Sequence, residues 1–145
     1  MARVDTIDEL MRPLMAAPTI RLDRCAVCGR PAPLNQHHMV RRSAGAMFRD
    51  GVEVPKPTIT LCGLGNHLMD ADGRPYCHGL AHANRLHFRW VPTDAVGGGF
   101  GRYPRMEGGD GGHLEYILLD EPASYAAALG MDGWRPLRRW RGCCA

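Results

Sequence analysis

Apolar positions recur with two different periods along this chain of 145 residues. Near the start, Ile7, Leu10, Met11, Leu14 and Met15 follow helical spacing behind a capping box of Thr6 with Glu9. Pro13 carries no amide hydrogen and should kink or end that helix near Arg12. Further on, "TITLC" reads as a short strand ending at Cys62. In "LHFRWV" the residues Leu86, Phe88 and Trp90 alternate as on a half-buried strand, and "HLEYILLD" at 113–120 reads as a second one. "EPASYAAALG" reads as a short helix, with Pro122 in its first turn and Gly130 past its end.

The stretches between these elements carry weaker signals. "SAGAMFRDGVEVPKP" reads as a loop that leads to "TITLC", and "GLGNHLMDADGRPY" as a polar, glycine-bearing loop. "CHGLAHANR" is the best helix candidate of the middle region, although Gly79 weakens it. The glycine-rich "GGGFGRYPRMEGGDGG" should be a mobile connection between the two strands of a hairpin. It does not fit G-x-G-x-x-G after a strand, so no nucleotide cofactor is expected. The tail "GWRPLRRWRG" has four arginines, two tryptophans and no acid. It suits a nucleic-acid backbone, or simply packs its tryptophans and solvates its arginines.

Three regions follow: residues 1–21 as an N-terminal helical extension, 22–88 as a core with nearly all the cysteine and histidine, and 89–145 as a hairpin, glycine-rich loop, helix and Arg/Trp tail. The expected class is small α+β. Composition agrees with a globular chain, at 45% hydrophobic and 23% charged residues. No apolar run reaches membrane-spanning length and no signal-peptide core opens the chain, so the expectation is a soluble, cytoplasmic protein without a membrane partner. Net charge is only +3, but Lys56 is the sole lysine among 18 basic residues. Arginine presents a planar fork of donors that suits phosphate, while a high-GC coding bias would give the same composition. Charge alone does not choose between them.

Six cysteines without a secretory signal point to metal or redox chemistry before disulfides. Cys143 and Cys144 carry no inferred role. Cys25-Ala26-Val27-Cys28-Gly29 has the shape of a zinc knuckle, in which two thiolates bite one ion and the glycine lets the turn close. Cys62 and Cys77 are the candidate third and fourth ligands of a structural Zn2+, although fourteen residues, 63–76, separate them. His67 is a rival ligand. A redox C-x-x-C is a rival reading, opposed by Pro31 and Pro33, which argue against the helix it normally opens.

The histidines form two pairs beside these cysteines. His37 and His38 are adjacent, so in an extended segment one can face a metal and the other a substrate. His78 and His82 stand four apart, on one face of a helix, as metal binding requires. A second, purely structural zinc site is the alternative use of these four.

C-x-x-C, a histidine pair, a strand ending in "LC" and then "CHGLAH" together resemble the HNH endonucleases of the ββα-metal (His-Me finger) fold. The likeness is greatest to small HNH proteins of phages and prophages, and covers roughly residues 22–88. It implies a zinc-stapled ββα-metal core, with the C-terminal hairpin and short helix as elaboration. It implies His38 as general base, and His37, His78 and His82 as ligands of one catalytic divalent cation (Mg2+, Mn2+, Ni2+ or Zn2+). Cys25, Cys28, Cys62 and Cys77 match the family's structural zinc ligands. DNA is the implied substrate, with terminase subunits as partners in genome packaging. Arg41, Arg42 and Arg85 are candidate phosphate contacts. A histidine base implies activity that falls as the pH drops below about 6.5. One departure stands out: where the family places its middle Asn, this chain has Pro57 and Thr58, with Asn66 a possible substitute. A zinc-binding module that binds DNA or protein without turnover is the competing expectation.

Overall fold

The computed structural model describes residues 7–41, 45–92 and 111–137. It is a mixed α/β structure of small sheets and short helices. Helix α1 (Ile7–Met11) gives way at Pro13 to a 3-10 turn over Arg12–Ala16, as the proline requires. Thr6 of the expected capping box lies outside the described residues.

Strands β1 (Leu34–His38) and β4 (Thr58–Cys62) pair antiparallel, with His37 opposite Ile59 and His38 opposite Thr58. Ile20 lines the other edge of β4 through a parallel bridge, donating to the Thr58 carbonyl at 2.8 Å and accepting from the Thr60 amide at 3.0 Å. Gln36 closes this three-segment seam, donating to the Ile20 carbonyl and to Thr58 Oγ1 and accepting from Thr60 Oγ1. The polar side chains in the middle of β1 are thereby satisfied, as partly buried amides must be.

Between β1 and β4 the chain forms a hairpin, β2 (Met47–Arg49) with β3 (Val52–Val54). The expected loop is corrected here, because Asp50 and Gly51 both have positive φ, 53° and 79°. That is the mirror-image two-residue turn that Asp-Gly favours.

Helix α2 (Cys77–His82) is shorter than "CHGLAHANR". Asn84 turns the chain with φ 60°, and Arg85 donates its amide to the Leu80 carbonyl, so Arg85 leads into a strand instead of ending the helix. Strands β5 (Leu86–Pro92) and β6 (Gly112–Leu118) form the expected antiparallel pair, and β7 (Arg135–Pro136) adds a third strand to it. The boundary at 88/89 therefore falls inside β5. The start of the tail packs: Trp134 Nε1 donates to the Ala128 carbonyl, and the Arg89 guanidinium stacks 4.4 Å from the Trp134 ring centre. Helix α3 (Tyr125–Leu129) starts after Ser124, whose Oγ accepts from the Ala127 amide, so Pro122 precedes the helix instead of occupying its first turn. Gly130 ends it as expected. Most of the glycine-rich connection lies outside the described residues.

One buried cluster runs from Leu14 and Ile20 through Ile59 and Leu61 to Phe88, Leu114 and Leu137. It joins all three regions of the chain. Among the described residues no helix is long and apolar enough to cross a membrane.

Candidate metal centres

Four cysteines converge at one end of β4. Cys62 closes the strand and Cys77 opens α2, while the Cys25–Gly29 turn is shaped by Gly29 (φ 82°), whose amide bonds to the Cys25 carbonyl at 3.0 Å. The ligand atoms of Cys25, Cys28, Cys62 and Cys77 all lie within 4.8 Å of one another. Tetrahedral zinc with Zn–S of about 2.3 Å places its sulfurs about 3.8 Å apart. The Sγ atoms of Cys28 and Cys62 are 3.6 Å apart, and Cys62 Sγ also accepts from the Cys77 amide at 3.2 Å. These residues could hold a metal ion. All four are free thiols. Hydrogen bonds from Cys28, Cys62 and Cys77 hold Cys25 far below the usual thiol range, while the bond to Cys25 pushes Cys62 and Cys77 up. Four thiols this close cannot all ionise unless a cation takes up the charge. His67 is exposed and lies outside the cluster.

The long gap between Cys62 and Cys77 is closed by a small knot. Asp70 accepts from the Asp72 and Arg74 amides, forms a 3.0 Å ion pair with Arg30 of the knuckle, and Arg30 stacks 4.9 Å from the Tyr76 ring centre. The Leu68 carbonyl takes the Tyr76 amide. Gly79 is explained by the same packing: a Cβ there would meet the Leu68 Cα and the His67 carbonyl at 2.8 Å.

His37, His78 and His82 form the second cluster, with ligand atoms again within 4.8 Å. His82 Nε2 lies 3.1 Å from His78 Nε2, and the His37 ring centre is 5.3 Å from that of His78 and 5.7 Å from that of His82. Burial, and then the neighbouring charges on His78, His82 and His38, push His37 down to about 3. Burial followed by His82 also lowers His78. Two of the three imidazoles thus resist protonation, which keeps a lone pair available for a cation. The back of His78 is enclosed. Its Nδ1 is buried and has no hydrogen-bond partner among the described residues, and a Cβ on Gly63 would sit 2.5 Å from His78 Cβ. Asn35, which the sequence did not single out, donates to the Gly63 carbonyl at 2.7 Å and so braces the floor beneath His78.

His38 is exposed at the end of β1, one residue from the triad. It borders two clefts. One, of about 570 Å³, continues to His37, His82, Phe88 and Tyr125. The other, of about 720 Å³, runs under the β2–β3 hairpin. Arg41 is exposed on the wall of the first cleft. Arg85 is placed differently from the expectation: its Nε donates to the Leu119 carbonyl at 3.0 Å, tying the ends of β5 and β6. Arg42 lies outside the described residues. Asn66 is exposed and lines neither cleft. No protein-family model, curated protein or solved structure matches the chain.

Proposed function

We propose that the protein is a metal-dependent DNA endonuclease of the HNH type, built on a ββα-metal core stapled by structural zinc at Cys25, Cys28, Cys62 and Cys77. The observation that carries the reading is the convergence of His37, His78 and His82 on one point, with His38 exposed beside them. Three imidazoles from a strand and a helix would hold one divalent cation and leave coordination positions for substrate. A cation there would supply polarisation of a phosphate oxygen and charge stabilisation at the leaving 3′ oxygen.

The chain's own residues account for the rest. His38 takes a proton from water; the water oxygen bonds to phosphorus, and the bond to the 3′ oxygen breaks. His37 cannot share that role, since burial and its neighbours keep it a poor proton acceptor. The β1–β4 register supports this division of labour, because adjacent strand residues face opposite ways. By the resemblance, the setting is a phage or prophage, with terminase as a partner in packaging.

The test is plasmid cleavage by purified protein after mild chelation, with Mg2+, Mn2+, Ni2+ or Zn2+ restored, beside His38→Ala. Divalent-dependent cleavage that falls roughly a hundredfold or more in the variant supports the reading. Equal cleavage by both removes His38 from the role. A second reading, a zinc module that binds DNA or protein without turnover, is favoured by the buried Pro57 where the family's Asn would stand. Under that reading neither protein cleaves.

A further inference from the structure

The four clustered cysteines differ in exposure. Cys25, Cys62 and Cys77 are buried, at 0%, 0% and 4% of full accessibility, whereas Cys28 is exposed. Its sulfur lies 3.6 Å from that of Cys62. We propose that Cys28 is an oxidation site, at which a peroxide reacts and Cys62 resolves the product as a Cys28–Cys62 disulfide, releasing a zinc ion held by the cluster. The release rests on the zinc reading of the cysteines; the disulfide rests on the thiols alone.

Backbone bonds hold the two sulfurs near each other. The Ala26 amide donates to the Thr60 carbonyl at 2.9 Å, which lashes the knuckle turn to β4 two residues before Cys62. The Cys25 amide donates to the Arg30 carbonyl at 2.9 Å and closes that turn. On its other side Cys62 Sγ accepts from the Cys77 amide at 3.2 Å, which fixes where the sulfur points. From 3.6 Å, a disulfide of about 2.0 Å needs the sulfurs to approach by about 1.6 Å.

The chemistry balances with hydrogen peroxide as the oxidant. The Cys28 thiolate attacks one peroxide oxygen: an S–O bond forms, the O–O bond breaks and hydroxide leaves, so sulfur loses the two electrons that peroxide gains. The Cys62 thiolate then attacks the Cys28 sulfur; the S–S bond forms, the S–O bond breaks and a second hydroxide leaves. Two protons from solvent convert both hydroxides to water. Burial keeps Cys62 from peroxide, while its closeness lets it capture the sulfenic acid before a second oxidation. Cys25 and Cys77 remain as thiolates, and two ligands do not complete a tetrahedral zinc site.

The experiment treats the full chain, carrying Cys143→Ser and Cys144→Ser and loaded with zinc, with hydrogen peroxide. A chromogenic chelator follows zinc release, and mass spectrometry of non-reduced peptides assigns each disulfide. Zinc should leave in step with a Cys28–Cys62 disulfide, and dithiothreitol should restore both the thiols and zinc binding. Cys28→His keeps a zinc ligand but removes the exposed thiol, so it should release zinc at least about tenfold more slowly. Release from Cys28→His at the parent rate would overturn the assignment, as would a disulfide that joins any other pair of the four. If Cys28→His takes up no zinc, the parent's disulfide map decides alone. A Cys28–Cys62 disulfide in a protein that holds no zinc before treatment would sustain the oxidation site and sink the zinc reading. Zinc retained under peroxide, with all four thiols intact, would do the reverse.

Discussion

His82 Nε2 stands 3.1 Å from His78 Nε2, one helical turn along α2. Two nitrogens on one tetrahedral zinc at about 2.05 Å would be about 3.3 Å apart. The pair is therefore spaced for a shared cation as well as for a hydrogen bond. We predict two equivalents of bound zinc per chain in zinc excess and one after mild chelation. His82→Ala should bind one under both conditions, measured by elemental analysis. Two equivalents in the variant would remove His82 from the ligand set.

The cysteine site should dominate stability. Structural zinc contributes about 10–16 kcal/mol of apparent binding energy in small zinc-dependent folds. That matches or exceeds the about 5–15 kcal/mol by which whole domains are stable. Cys25→Ser, or full chelation, should abolish cooperative thermal unfolding followed by near-UV circular dichroism. An unchanged melting curve would show that the apolar cluster suffices alone.

Acid should weaken the protein through His37. Its folded pKa is pushed down to about 3, against 6.5 for an ordinary histidine, so the unfolded chain takes up a proton that the folded chain refuses. Stability is unaffected above about pH 6.5 and is lost progressively as the pH falls from there toward 3. His78, lowered in the same direction, adds to the loss. With the cysteine site loaded and the triad free of added cation, urea midpoints should drop between pH 7 and 5. In His37→Gln the drop should be smaller, and an equal drop in both proteins would refute this assignment.

Gly79→Ala should reverse the usual rule for helices. In an exposed helix interior this change gains about 1 kcal/mol. Here the added methyl meets backbone at 2.8 Å, so we expect a net loss of about 1–3 kcal/mol by chemical denaturation. A stabilised variant would mean that the knot over α2 gives way freely.

Much of the candidate site was legible because its ligands sit at local signals. Cys25 and Cys28 share one turn, Cys62 ends an apolar strand, and His78 and His82 stand at helical spacing. What escaped depends on non-local pairing or on close approach. Nothing near Ile20 announces that it will bridge β4, and nothing near Asn35 announces Gly63. Gly79 looked like a weakness in a helix, whereas it marks a backbone contact with the knot. Arg85 looked like a helix-end cation because Asn84, a residue type that tolerates positive φ and often ends helices, was read as continuing the helix. The Asp50-Gly51 turn was readable, but its three-residue flanks are too short to show alternation.

Helix α2 is only six residues long, too short to hold its shape alone in water. Its first residue belongs to the sulfur cluster, and its second and last belong to the imidazole cluster. A cation in the sulfur site would anchor the helix start and prepay the ordering of His78 and His82. The two candidate sites would then be linked as rungs of one ladder. Stripping the first should weaken the second, even though no atom of the histidine cluster is touched.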